Sequence, residues 1–230
     1  MLVSAVAYGG GAEVVPGSSD PYLAGMPNGS TCCSGDTAPA QSPVLVTSFA
    51  VTPGSSLTFT VTGSVDNSGL TPTLTPDGNG VISTPSNNGI SGATWPINAL
   101  VGVFLDASQP DSSAAPSALD FTTTSFTNLS PALKQAFFIG DGRTGTGSGS
   151  IQTFVVPAGA TRLFLGTSDG FGWFNNSGSF TVTLGAGVGV PTPTPTVPAP
   201  TAPVPTLSFP MLAVLGLALA GASIFLMRRS

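Results

Sequence analysis

The chain has 230 residues, a formal net charge of −5, and only 7% charged residues against 41% hydrophobic ones. An average soluble domain carries about 25% charged residues. With no His and only five Lys plus Arg, the composition excludes Ser-His-Asp hydrolysis, His-ligated zinc and nucleic-acid binding through a basic face.

Two of the five cations, Arg228 and Arg229, sit at the C-terminus, which leaves Lys134, Arg143 and Arg162 for the rest of the chain. A neutral partner or a metal cation suits such an acidic chain better than an anionic one. The N-terminal residues Met1 to Ala7 are too short for a secretion signal, yet Ala5-Val6-Ala7 reads as a small-residue cleavage site. Two readings stand side by side: the remnant of a signal peptide with a mature chain from near Tyr8, or an ordinary tail. Residues 1–41 as a whole read as a loop-rich N-terminal segment. Within it Cys32 and Cys33 are adjacent, which leaves a vicinal bridge, two thiols or intermolecular pairing. Oxidation is favoured in an exported protein, and two neighbouring thiolates find no third metal ligand in the sequence.

Residues 42–186 carry short runs of period two, broken by Gly, Pro, Asn and Asp. Leu57, Phe59 and Val61 alternate with Thr58, Thr60 and Thr62, the signature of a half-buried strand. Further strands are expected at 43–51, 100–105, 135–139, 151–156, 162–166 and 179–184. The one window with a helical stripe is 129–137. The expected fold is all-β, an antiparallel sandwich of jelly-roll kind, with most of the 14 Phe in its core.

Between the last two expected strands lies Ser168-Asp169-Gly170-Phe171-Gly172-Trp173-Phe174-Asn175-Asn176-Ser177. If this loop folds back, the Asp169 carboxylate and the Asn175 and Asn176 amide oxygens converge. Hard oxygen donors of that kind, completed by carbonyls and water to six to eight positions, suit Ca²⁺. The competing reading is a set of Asx turns with glycines at positive φ. Trp173 is the expected stacking platform for a ligand, with Phe171 or Trp95 in support. Asp141, in Gly140-Asp141-Gly142-Arg143, reads as a turn with an Arg partner, and no spacing of carboxylates singles out a catalytic acid and nucleophile; the chain is read as not an enzyme.

From 187 to 206 the chain becomes a Pro/Thr-rich linker, extended at about 3.1 Å per residue. Residues 207–230 follow as an anchor, in which Leu207 to Met227 carries no charge and is long enough to cross a hydrocarbon core of about 30 Å. This C-terminal transmembrane helix is expected to leave Arg228 and Arg229 on the cytoplasmic side.

Two resemblances extend this reading. Val204, Pro205, Thr206 and Leu207, then the apolar stretch, then Arg228 and Arg229, resemble the C-terminal sorting signals of Gram-negative bacteria of the PEP-CTERM type, most closely the variant beginning Ile-Pro-Thr-Leu; Val204 departs from the usual Ile. The resemblance implies transient residence in the inner membrane, cleavage by a sorting protease of exosortase or rhombosortase type, and delivery to the cell surface or the medium. Asp169 through Phe180, with Asn175-Asn176-Ser177-Gly178-Ser179-Phe180, resembles the PA-IL-like galactose-binding lectins, small calcium-dependent β-sandwich proteins. That likeness implies that Asp169, Asn175 and Asn176 bind Ca²⁺, that a carbonyl between Val65 and Asn67 adds a ligand, and that Asp169 and Asn175 also touch sugar hydroxyls. The family's His against the galactose ring has no counterpart here, so galactose preference does not carry over. The expectation is an exported lectin-like protein that binds neutral glycans or extracellular polysaccharide through Ca²⁺, with Trp173 and Phe171 against the sugar. The alternatives are a structural surface or matrix protein that binds nothing small, and a glycan-active enzyme.

Overall fold

The computed structural model describes residues 11–187. The Ala5-Val6-Ala7 site, the linker beyond residue 187, the sorting motif from Val204 to Leu207, and the anchor with Arg228 and Arg229 lie outside the described residues. Among the described residues no helix is long and apolar enough to cross a membrane.

The fold is all-β. In chain order the strands are β1 (Ala12–Pro16), β2 (Thr31–Cys32), β3 (Asp36–Thr37), β4 (Val44–Leu45), β5 (Ser56–Asp66), β6 (Asp77–Thr84), β7 (Ala93–Leu105) and β8 (Leu119–Asp120). They continue as β9 (Asn128–Leu129), β10 (Ala136–Phe138), β11 (Arg143–Gly145), β12 (Ser148–Ile151), β13 (Thr153–Val155), β14 (Arg162–Thr167) and β15 (Ser177–Ala186). One sheet has the order β1-β15-β5-β13-β9; the other runs β10-β7-β14-β4, with β6 and β8 also paired to the long β7.

The threonine-alternating stretch explains the register of the first sheet. Leu57, Phe59 and Val61 of β5 and Phe180, Val182 and Leu184 of β15 are buried. Because side chains alternate across a strand, the threonines fall together on the other face, Thr62 opposite Thr181 and Thr60 opposite Thr183. Phe180 sits opposite Gly63, whose φ of +102° no L side chain adopts easily, and where a Cβ would collide with the Ser179 carbonyl. The second sheet is buried almost throughout β7 from Asn98 to Leu105, as expected for a central strand paired on both sides.

Aromatic rings join the two sheets. Phe154 of β13 lies edge-on to Phe59 at 5.1 Å, and 5.8 Å from Phe137 of β10 in the opposite sheet. Phe137 in turn stacks on Phe104 at 5.1 Å. Rings at such separations add to the large apolar area that each side chain removes from water.

Three expectations need correction. The N-terminal segment from Ala12 onward contributes to the sheets: β1 pairs with β15 from Ala12 opposite Thr183 to Pro16 opposite Ser179, so strand structure is present well before residue 42. Glu13 is part of it, its Oε1 accepting the Thr47 and Ser48 N–H groups. The strand expected at 43–51 is reduced to Val44–Leu45. No helix forms at 129–137; Leu129 ends β9, Lys134 stands at φ +65°, and β10 begins at Ala136. The Lys134 ammonium instead reaches the Pro110, Ser113 and Ala114 carbonyls and pins that loop.

Phe154→Ala should lower the unfolding free energy by about 3–5 kcal/mol, the usual cost of emptying an aromatic site in a core. Urea denaturation measures it, and a cost under about 1 kcal/mol would contradict the packing described here.

Candidate functional site

The loop between β14 and β15 is held from below and from the side. At its start, Ser168 Oγ donates to the Pro96 carbonyl at 2.6 Å and accepts the Ala99 N–H at 2.7 Å. That ties the end of β14 to the irregular point of β7 at Asn98, which stands at φ +64°. Gly172, at φ +75°, then turns the chain into a short 3₁₀ turn, Trp173–Asn175. The N–H groups that open this turn are satisfied by residues far away in sequence. Gly172 N–H donates to the Cys33 carbonyl at 2.9 Å, Trp173 N–H to Asp36 Oδ2 at 3.0 Å, and Phe174 N–H to Asp36 Oδ1 at 2.7 Å.

Cys32 and Cys33 are joined in a vicinal disulfide, which settles the choice the sequence left open. The bridge sits in the tight hairpin between β2 and β3, with Cys33 at φ +53° and Ser34 at φ +70°. Two consecutive left-handed residues other than Gly cost about 1–2 kcal/mol each, and this conformation aims the Cys33 carbonyl and the Asp36 carboxylate at the 3₁₀ turn.

The loop brings together Asp169 and Asn176. Asp169 is 4% exposed. Its Oδ1 accepts the Gly170 N–H at 2.5 Å, and its Oδ2 has no hydrogen-bond partner among the described residues. Asn176 Nδ2 donates to the Gly17 carbonyl at 3.1 Å, which leaves its Oδ1 buried and equally without a partner. A buried oxygen left unpaired costs about 1–3 kcal/mol, and this loop carries two of them, on Asp169 and Asn176. Burial raises the Asp169 carboxyl above its ordinary range, and the nearby Asn176 and Asn67 side chains offset part of that rise.

Asn175 is not part of this buried pair. Its side chain is exposed and makes no hydrogen bond among the described residues. Of the carbonyls expected between Val65 and Asn67, that of Val65 accepts the Leu74 N–H; the Asn67 side chain, whose Oδ1 accepts from Asn98 Nδ2 at 3.0 Å, stands beside Asp169.

Trp173 is a correction. It is fully buried, donates its indole N–H to the Thr167 carbonyl at 2.8 Å, and meets Tyr22 edge-on at 6.0 Å. An indole so enclosed is part of the core and offers no face to a ligand; Trp95 is equally buried. The exposed aromatics of the loop are Phe171, at 70%, and Phe174, at 57%.

Two buried carboxylates were not legible as part of this site. Asp20 caps the 3₁₀ turn Pro21–Leu23 by accepting the Tyr22 N–H at 2.8 Å. Burial pushes its carboxyl up to about 8, the Tyr22 N–H opposes this, and the charges of Asp36 and Asp169 add to the rise. Asp36 is also raised, first by burial. The Asp-Pro pair is an N-cap signal that the sequence did display; nothing in the sequence placed Asp36 under residues 173 and 174. Among the described residues no cation neutralises these groups. Lys134, Arg143 and Arg162 direct their side-chain N–H groups to backbone carbonyls and one Ser hydroxyl. Asp141 uses both oxygens as a turn cap, on the Arg143 and Gly147 N–H groups; its Arg partner contributes a backbone N–H, and the guanidinium goes to Gly149.

Comparison with family models, with curated proteins and with solved structures returned no match for this chain.

The unfolded Asp20 carboxyl ionises near 3.8 and the native one near 8. Between those values the folded state binds more protons, so the contribution to stability is fully present below about pH 4 and is lost as pH rises toward 8. Asp36 and Asp169, raised in the same direction, give slopes of the same sign. Thermal melts in chelator should therefore show Tm falling from about pH 5 to 8. Asp20→Asn, which keeps an acceptor for the Tyr22 N–H, should remove more than about 1 kcal/mol of that loss. An unchanged slope in the variant would refute the burial of an unpaired carboxyl at this position.

Proposed function

We propose that the chain is an exported, non-catalytic carbohydrate-binding protein that uses Ca²⁺ at the β14–β15 loop to hold neutral sugar hydroxyls. One observation carries this reading: the partnerless, buried Asp169 Oδ2 and Asn176 Oδ1 belong to the stretch that resembles the PA-IL-like lectins. Asp169 and Asn176 would hold the ion, and the exposed Asn175 amide is close enough in sequence to join it when the ion is bound. Sugar hydroxyls, water and loop carbonyls would complete the six to eight oxygens that Ca²⁺ takes. Neutral sugars offer no charge, so a cation supplies the attraction and an aromatic face the apolar contact. In this proposal Phe171 takes the stacking role expected of Trp173.

A jelly-roll sandwich is the architecture this reading implies for the two packed sheets. Export is supported by the vicinal bridge, since disulfides persist in oxidising compartments. The motif at Val204 to Leu207 and the Arg228-Arg229 end support transient anchoring in the inner membrane and processing by a sorting protease. Extracellular polysaccharide is the partner class favoured by the near absence of cations.

Saturating Ca²⁺ at about a hundred times its Kd should stabilise the wild type by about 2.7 kcal/mol, a Tm rise of roughly 5–10 °C for a domain of this size. Asp169→Ala and Asn176→Ala should each abolish the rise. On a glycan array, Phe171→Ala should lose sugar binding while keeping the Ca²⁺ response. A wild type whose Tm ignores Ca²⁺ would leave the structural surface protein as the better reading, and product formation from glycans would favour the enzyme.

A further inference from the structure

The vicinal bridge has a neighbour that no part of the lectin reading uses. Asp20, Cys32 and Cys33 form, among the described residues, the one group of three carboxylate and sulfur donors whose ligand atoms lie within 4.8 Å of one another. Asp20 is completely buried, and while Oδ1 caps the Tyr22 N–H, Oδ2 has no hydrogen-bond partner. One carboxylate oxygen of Asp20 thus lies within 4.8 Å of both sulfurs.

We propose that reduction of the Cys32–Cys33 bridge opens a binding site for a thiophilic divalent cation, held by the two Cys thiolates and the Asp20 carboxylate. The opening step is thiol–disulfide exchange. Two equivalents of a thiol reductant deliver two electrons and two protons, the S–S bond breaks, two thiols form, and the reductant leaves as its own disulfide. Binding of the cation then releases both thiol protons, since the thiolate is the ligand. With metal–sulfur bonds of about 2.3 Å and metal–oxygen bonds of about 2.0–2.2 Å, tetrahedral donors stand roughly 3.3–3.8 Å apart. On reduction the two sulfurs, bonded to each other in the disulfide, must part to about 3.8 Å, and the Asp20 carboxylate, within 4.8 Å of both, must close on them by about 1.3 Å at most; Asp20 Oδ2 surrenders no hydrogen bond in doing so.

The donor set selects the ion. Two thiolates and one carboxylate suit zinc-like and cadmium-like cations, whereas Ca²⁺ and Mg²⁺ require oxygen. Water takes the fourth position from the side where Cys33 is half-buried. There the Asn87 amide approaches Cys33 Sγ at 3.8 Å, and the same turn, Asn87 to Gly89, lines an open cavity of about 480 Å³. In the oxidised chain the sulfurs are bonded to each other and the site is closed.

The test is a Cd²⁺ titration of the whole chain, oxidised and after reduction with a phosphine, followed by thiolate-to-metal charge-transfer absorption in the ultraviolet. The reduced protein should gain the band and saturate at one Cd²⁺ per chain, and the oxidised protein should show none. Cys32→Ser should abolish the band. Asp20→Asn, which keeps the Tyr22 cap, should weaken binding by about tenfold or more, since loss of even an outer-shell partner costs that much. Asp169→Ala should change nothing, which separates this site from the calcium reading. Absence of the band in the reduced, folded protein, or equal Cd²⁺ affinity in Asp20→Asn, overturns the proposal. If reduction alone erases the near-ultraviolet dichroism of Trp95 and Trp173, Cd²⁺ should restore it, and failure to do so overturns the proposal equally.

Discussion

The arrangement of this domain depends on one carboxylate in an unexpected place. Asp36 accepts the N–H groups of Trp173 and Phe174, so a hairpin near the N-terminus holds the loop that precedes the last strand. A charged acceptor on a backbone donor is about twice as strong as a neutral one, and here the carboxylate and Trp173 are buried while Phe174 stands at the edge. Remove this contact and the 3₁₀ turn loses its cap, Trp173 loses the backbone position that sends its ring under Tyr22, and Asn176 loses its place beside Asp169. The vicinal bridge, the left-handed residues at Cys33 and Ser34, and Gly172 are the local means by which that contact is reached.

A second constraint is the shortage of positive charge. Arg162 donates to the carbonyls of Asp106 and Ser108 and lies 5.6 Å over the Phe164 ring, and Lys134 gathers a loop of carbonyls. Cations used in this way act as clamps on irregular backbone, which is their most effective use in a chain whose strands are linked by long connections. The consequence is a group of buried acids, Asp20, Asp36 and Asp169, stabilised only by N–H donors. Burial makes such groups resist ionisation.

The sheets were legible where both faces of a strand had different solvents. β5 and β15 announce themselves through Phe and Val alternating with Thr, and β7 and β14 through continuous apolar runs bounded by turns. β1 was not legible: Ala12-Glu13-Val14-Val15-Pro16 is an edge strand with a single buried side chain, Val15, and its pairing depends on β15, far along the chain. β6, with Asp77-Gly78-Asn79-Gly80 at its start, reads as a turn and becomes a strand only because β7 accepts it across an irregular register. At the loop, Asp169 and Asn176 were singled out because carboxylate and amide oxygens carry their own signal, and the structure places their side chains near each other. Trp173 was misjudged because an indole among Gly and Asn reads as surface, and only Asp20-Pro21-Tyr22 and Asp36, more than 130 residues away, turn it inward.

The pairing of β1 with β15 has a consequence for biosynthesis. A nascent chain leaves the ribosome from its amino end, so residues 12–16 must wait until about 165 further residues have been made before Thr183 and its neighbours can meet them. Closure of the sheet, and with it the assembly of the loop beneath Asp36, is thereby deferred until the last strand of the domain has been made. Until then the backbone groups of residues 12–16 have no strand to pair with, and water must satisfy them.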